Sequence, residues 1–350
     1  EAAPEPSPTR TVVVDNDAAL QELAEKLSAA RVIAFDTETT SIEPMSAELV
    51  GISFSVAAGE GYYVPVGHHP EVAPGGQLGW EQVRAALAGA LTDAAIEKVA
   101  HNAKYDFIVL QRNGLTVTPL STDTMVCEWL CDPGSRNKGL KNLAWARLGV
   151  EMEEIATLIG TGKKQKTVAA VPVESAAPYA AADADMTLRL LPLLRAELEH
   201  SAALELLQLE MELIPILAQM EMNGVLLDSD FLSEMGEGLE EQIKSLREAV
   251  IQEVGYDFKL NSTQQLSTAL FEHMGIKPPR GTPPTKSGHF STARKVLTEL
   301  DAEHKVVGDI LQYRELAKLK STYVDALPLA VNEETGRVHT SFNQTGTVTG

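Results

Sequence analysis

The sequence predicts an α/β domain followed by a mainly α-helical region. Three observations carry this reading. Extended apolar segments punctuated by Gly and Pro alternate with helical patterns up to about residue 200, and long helices without strands follow from about Ala202. A chain of 350 residues with 44% apolar content can also bury more than one core, which sets the expectation at two domains.

The elements follow in order. Residues 1–10 are polar and Pro-rich and read as a leader or linker. Residues 11–14 read as a short strand, and Asp17–Ala29 as an amphipathic helix with Leu20, Leu23, Ala24 and Leu27 on one face. Residues 31–36, 49–56 and 61–66 read as extended, and three strands in succession suggest a meander. Helical patterns at 80–91 and 103–113 flank a short strand at 98–100, and 122–131, 139–148 and 176–197 read as helices. Beyond a boundary placed near residue 200, Leu204–Asn223 reads as a helix stopped by Gly224, with extended residues 225–227 after it. Asp228 or Ser229 caps a second long helix with Leu232, Met235, Leu239, Ile243, Leu246 and Val250 three or four apart and Gly255 at its end. Further helices are expected at 262–273, 291–300 and 306–319, and residues 336–350 have the alternation and Thr content of a strand.

A net charge of −20 argues against a nucleic-acid partner, because phosphate binding leaves a basic footprint. Its distribution is uneven. Between His273 and Thr298 there is no Asp or Glu, while Lys277, Arg280, Lys286, Arg294 and Lys295 sit among Pro, Gly, Ser and Thr, as either a solvated connection or a phosphate-tracking loop. Cys127 and Cys131, four apart, fit neither a zinc site nor a redox motif and read as plain thiols in a reducing cytoplasm. No stretch approaches the roughly 18 apolar residues of a membrane helix, and the first residues resemble no signal peptide, so no membrane partner and no secretion are expected. The first residue is not Met, so the sequence is expected to be a processed chain, an engineered piece or an internal piece of something longer, and its first residue is no evidence of a natural terminus.

Three motifs carry chemistry. Val32 to Phe35 lead into Asp36-Thr37-Glu38, and period-two alternation points both carboxylates to one side, an arrangement that is unfavourable unless a cation bridges it. His101-Asn102-Ala103-Lys104-Tyr105-Asp106 follows the strand at 98–100; Asn102 can cap the next helix, with Asp106 in its first turn. Tyr179 and Asp183 are four apart in a helix of alanines and share a face. Each also has a plain reading, as exposed acids, a helix start, or a common helical pair.

Together and in this order the three resemble the exonuclease motifs of the DEDD nuclease superfamily, in the subclass with Tyr where others have His. The resemblance covers about residues 11–200 and implies a ribonuclease-H-like fold, a mixed sheet flanked by helices, acting as a 3′-5′ exonuclease. It implies two divalent ions, Mg²⁺ or alternatively Mn²⁺. Asp36 would bridge them, Glu38 and Asp183 would complete the site of the water-activating ion, and Asp106 would hold the second. Tyr179 would orient the attacking water, and Ile42 would wedge against the terminal base. Asn102 is a further expected DNA contact.

The second half is similar to the thumb of family A DNA polymerases. The segments are MEMNGVLLD at 220–228, NSTQQL at 261–266, TKSGHFST at 285–292, YRELAKLKSTY at 313–323 and GRVHTSFNQT at 336–345. The whole then resembles the first part of a bacterial Klenow-type large fragment: exonuclease at 11–200, thumb at 201–335, start of the palm at 336–350. That implies a proofreading role in the bacterial cytoplasm at the nucleoid, with a single-stranded 3′ end and a primer-template duplex as DNA partners. The duplex would meet Lys286, Arg294, Lys318 and Lys320. Family members continue into palm and fingers where this sequence stops, so polymerisation is not expected of this stretch alone. The alternative is a non-catalytic scaffold that binds primer-template.

Overall fold

The structure is a computed structural model that describes residues 8–348. The described residues form two compact units, one of residues 8–224 with 340–348 and one of 225–339. No helix among them is long and apolar enough to cross a membrane.

The first unit is built on a mixed six-stranded sheet. Its strands are β1 (Arg10–Val13), β2 (Val32–Thr39), β3 (Leu49–Ala57), β4 (Glu60–Pro65), β5 (Glu97–Ala100) and β6 (Leu120–Asp123), in the order β1-β4-β3-β2-β5-β6. β2, β3 and β4 form the expected antiparallel meander, while β5 and β6 extend the sheet parallel to β2, and β1 pairs parallel with β4. The leader expected at 1–10 gives way earlier, since Arg10 already pairs with Glu60; residues 1–7 lie outside the described residues. β6 was not expected: Thr122 and Asp123 read as the start of the helix Thr124–Cys131, but complete a four-residue strand just before it.

Alternation gives the sheet two unlike faces. Ile33, Phe35, Ile52 and Phe54 are fully buried in the core with Leu20, Leu23 and Leu27 of the helix Asp17–Ala29. Ala34, Gly51, Ser53 and Gly61 stand at the other register positions and leave room for the helix Val173–His200, whose Ala176, Ala177, Ala180, Ala181 and Ala184 are buried. The approach is close enough that a methyl at Gly61 would stand 2.4 Å from the Ala181 carbonyl oxygen and 2.7 Å from its Cβ. Gly61→Ala is therefore expected to destabilise the protein by about 1–3 kcal/mol, read as a lower urea midpoint at constant slope. An unchanged midpoint would show that the helix is not seated on β4.

The helix Leu204–Asn223, which the change in pattern at Ala202 assigns to the second half, packs with the first unit: Leu207, Met211 and Ile214 join its core. The last segment does not form the strand expected at 336–350. Among its described residues only Arg337–Val338 is extended in a sheet, and residues 340–348 lie on the first unit with their backbone bonded to side chains; residues 349–350 lie outside the described residues. Glu221 Oε1 accepts the Phe342 N–H at 2.7 Å and the Lys104 ammonium, which also donates to the Phe342 carbonyl, and Trp129 Nε1 donates to the Thr347 carbonyl at 2.7 Å. With those groups satisfied, alternation no longer needs a sheet partner.

In the second unit the helix Ser229–Val254, capped by the Asp228 carboxylate and ended by Gly255 at φ 90°, packs on the helix Lys305–Leu319. Val250, Val254, Leu266, Leu270, Leu297, Val307 and Ile310 form its core.

Candidate active site

β2, β5 and β6 run parallel, and their carboxyl ends open on one crevice, the usual place for a site in such sheets. Asp36 and Glu38 reach it from β2, with a register shift between Glu38 and Thr39 that turns the strand end. Gly51 pairs with Glu38, and its missing side chain makes room for the Tyr63 ring. Asp106 arrives on the first turn of the helix Ala103–Arg112, and Tyr179 and Asp183 one turn apart on the long helix. All five line one cavity of about 900 Å³, with Ile42 and Asn102 also on its wall.

Asp36, Glu38 and Asp183 turn carboxylate oxygens to within 4.8 Å of one another. Asp106 lines the same cavity but stands outside that cluster: its Oδ1 accepts the Thr37 N–H at 3.0 Å and the Thr37 hydroxyl at 2.5 Å, tying the helix to β2. Glu38 Oε1 and Asp183 Oδ1 are buried with no hydrogen-bond partner among the described residues. Such groups are costly unless a ligand satisfies them. A hard divalent cation meets that need, because it takes oxygen ligands and carries the opposite charge. Asp185, two residues on, is not part of the cluster; it pairs with Arg189 and accepts the Gly59 N–H and the Thr9 hydroxyl.

The electrostatics point the same way. Burial, followed by repulsion from Asp106, Asp183 and Glu38, pushes the Asp36 carboxyl well above the ordinary range. Burial, followed by Asp183, does the same to Glu38. Burial lifts Asp106 to about 7 against the bonds from Thr37, and Asp183 to about 7 against the Lys141 charge. Burial first, then these acids, also raises the Tyr179 phenol, which stays protonated at neutral pH.

Several residues at the site carry no sequence signal. Lys141 donates to the Tyr179 hydroxyl at 2.8 Å, and its ammonium lies 4.0 Å over the Tyr179 ring. Tyr105 donates to the Ser41 carbonyl and meets the Thr39 hydroxyl, fixing the loop that presents Ile42, 88% exposed. The capping expectation for Asn102 is corrected. Asn102 adopts the left-handed region at φ 62° and makes no side-chain cap; the Asp123 carboxylate accepts the N–H groups of Asn102 and Ala103 instead, at 3.1 and 2.7 Å. Asn is among the few residues that tolerate such a backbone, so it makes the turn rather than the cap. Cys127 and Cys131 are free, and burial pushes the Cys131 thiol up to about 12.

A family model described as 3′-5′ exonuclease matches residues 11–199. The chain belongs to this exonuclease family. A second model, DNA polymerase family A, matches residues 229–350, which contain the segments at 261–266, 285–292, 313–323 and 336–345 but not MEMNGVLLD at 220–228. The DNA polymerase I of Chloroflexus aurantiacus is 43% identical over 354 residues, covering 100% of this chain and 37% of that protein. That of Pseudomonas aeruginosa is 38% identical over 343 residues, covering 97% and 37%. The exonuclease-family chain thus spans little more than a third of these relatives. Among solved structures, the POL domain of Pol1 from M. smegmatis, in complex with DNA primer-template and dNTP, aligns with a TM-score of 0.77 at 25% identity, over 95% of this chain and 52% of that one.

The expected duplex contacts all lie in the second unit. Lys286 is exposed in the turn closed by Thr285 and His289. Arg294 and Lys318 line a cavity of about 400 Å³ with Arg314 and Tyr323. Arg294 also faces Glu315 at 3.3 Å, and Lys320 is paired with Asp325 at 3.0 Å and Glu240 at 3.4 Å.

Proposed function

We propose that this chain is the proofreading part of a family A DNA-directed DNA polymerase and hydrolyses single-stranded DNA from its 3′ end, releasing nucleoside monophosphates. The observation that carries the reading is the pair of buried, unpartnered oxygens on Glu38 and Asp183 beside Asp36. Asp36, Glu38 and Asp183 would hold one divalent ion and Asp36 with Asp106 a second, Mg²⁺ in the first place with Mn²⁺ as a substitute. Bound there, the ions supply an activated water and neutralise charge on the phosphate and the leaving 3′ oxygen. Tyr179, protonated at neutral pH, orients the water through its hydroxyl instead of taking its proton. Ile42 stacks on the terminal base, and Asn102 contacts the strand in the cavity.

On this reading residues 11–200 are the exonuclease domain, 201–335 the thumb and 336–350 the start of the palm. Lys286, Arg294, Lys318 and Lys320 meet the primer-template duplex in a polymerase whose palm and fingers belong to the rest of the protein, in the bacterial cytoplasm at the nucleoid. The test is degradation of 3′-labelled single-stranded DNA with Mg²⁺, with EDTA, and with Asp36→Ala. Stepwise loss that needs the metal and Asp36 supports the reading; a folded wild-type chain that binds DNA and leaves it intact would replace it with a non-catalytic scaffold.

Lys141 bears on the same step. By donating to the Tyr179 oxygen it leaves the phenolic hydrogen directed elsewhere and fixes the ring. Lys141→Met is expected to slow cleavage by about 10- to 100-fold, the loss of one charge-assisted hydrogen bond, and to add little to Tyr179→Phe. Full additivity in single-turnover rates would disconnect the two.

A further inference from the structure

An exonuclease site lined by four acids on a chain of net charge −20 has to draw in a strand with one negative charge per nucleotide. Cations bound among the acids neutralise the centre only. The phosphates behind the terminal nucleotide need positive charge of their own, placed at the cavity and attached firmly enough to set the path of the strand.

One segment meets both conditions. From Ile155 to Val173 there is no Asp or Glu, and Lys163, Lys164 and Lys166 fall within four residues, bounded by Glu151, Glu153 and Glu154 before and Glu174 after. All three lysines are exposed, and no carboxylate is in ion-pair reach of them among the described residues. Gly162, Gln165, Lys166 and Thr167 line the same cavity as Asp36, Glu38 and Asp183. The segment is anchored at both ends: Ile155 and Ile159 before it and Val168 and Ala169 after it pack around Val50. The Lys166 N–H donates to the Ile159 carbonyl at 2.9 Å, and the Gln165 N–H to the Gly162 carbonyl at 3.1 Å. Gly162, at φ 67°, makes the turn that lets the chain double back. Lys166 is therefore held at the wall of the cavity, and Lys163 and Lys164 stand three and two residues before it on the same anchored segment, not on a free tether.

We propose that Lys163, Lys164 and Lys166 form the phosphate grip for the single strand entering the cavity, on the nucleotides upstream of the one removed. This rests on the exonuclease reading above and adds to it the path of the strand. Ammonium groups on flexible stems follow phosphates without reading bases, as an enzyme that removes every nucleotide in turn requires.

The test is binding of 5′-fluorescein-labelled (dT)₁₂ in EDTA, followed by anisotropy from 0.05 to 0.3 M salt. The proteins are the wild-type chain, the Lys163→Ala/Lys164→Ala/Lys166→Ala variant and its triple Arg counterpart. Three lost phosphate contacts should flatten the slope of log Kd against log salt by about 2 and weaken binding near 0.1 M salt by about 30- to 100-fold, and Arg should restore both. A (dT)₁₂ with neutral methylphosphonate linkages behind the terminal nucleotide should show the same loss with wild type and no further loss with the Ala variant. An unchanged slope, or a loss that Arg does not restore at an unchanged melting temperature, overturns the grip. Cleavage by the wild type with Mg²⁺ is scored separately. If the wild type fails to cleave while the slope changes as expected, the exonuclease reading falls and the grip stands; if it cleaves and the slopes coincide, the reverse holds.

Discussion

Asp183→Asn is expected to slow removal of 3′ nucleotides by about 10³-fold or more while making the metal-free protein more stable at pH 8. The two effects have one cause. Asp183 places an unpartnered carboxylate oxygen beside Asp36 and Glu38, where it can hold a cation; losing several kcal/mol of charge stabilisation in the transition state is worth about three decades of rate. Without the cation the same oxygen is a buried charge facing two others. Burial lifts Asp183 and Asp106 to about 7 in the folded chain, against an ordinary value near 3.8. Between those values the folded state binds more protons than the unfolded one, so metal-free stability is greatest below about pH 4 for these groups and declines as pH rises through 7. The variant removes one of the repelling charges, and its melting temperature in EDTA should fall less between pH 5.5 and 8 than the wild type's. Mg²⁺ should raise the wild-type melting temperature more at pH 8 than at pH 5.5 and the variant's much less. Scanning calorimetry at both pH values, with EDTA and with Mg²⁺, reads all of this. A variant that is both inactive and less stable in EDTA at pH 8 would make Asp183 a structural residue.

The parts of this site legible in the sequence are those fixed by local period. Alternation along β2 puts Asp36 and Glu38 on one side, and helical spacing puts Tyr179 and Asp183 on one face, whatever packs against them. Lys141, Thr37 and Tyr105 become readable only after chain segments tens of residues apart are brought together; Thr37 meets Asp106 across 69 positions and Lys141 meets Tyr179 across 38. The same limit explains the helix Leu204–Asn223. Its period is visible, but which core Leu207, Met211 and Ile214 enter is a tertiary fact, and the change of pattern at Ala202 marks a change in element type only. The last segment shows the converse error, since Thr content and alternation suit a strand, yet Glu221, Lys104 and Trp129 satisfy its backbone singly.

Asp123→Ala is expected to destabilise the first unit by about 3 kcal/mol and to lower exonuclease activity with it, although Asp123 belongs to none of the three motifs. Its carboxylate is buried and accepts four backbone N–H groups: those of Asn102 and Ala103 at 3.1 and 2.7 Å, and those of Met125 and Val126 at 2.7 and 3.3 Å. One side chain thus caps its own helix, Thr124–Cys131, and the helix Ala103–Arg112 that carries Asp106, joining the ends of β5 and β6. A single N-cap is worth roughly 1 kcal/mol and a bond to a charged group about 1.5–3, so leaving four buried donors unsatisfied places this substitution in the severe class. Asp123→Asn keeps a carbonyl acceptor and should recover part of the loss. The consequence for the site is geometric: with its first turn uncapped, the helix Ala103–Arg112 frays where Asp106 meets Thr37, and Asp106 loses its fixed distance from Asp36. Urea unfolding gives the stability, and cleavage rates at saturating Mg²⁺ give the function. A variant with wild-type stability would show that the two helix ends find other acceptors, whereas a destabilised variant with full activity at low temperature would show that Asp106 keeps its place without the cap.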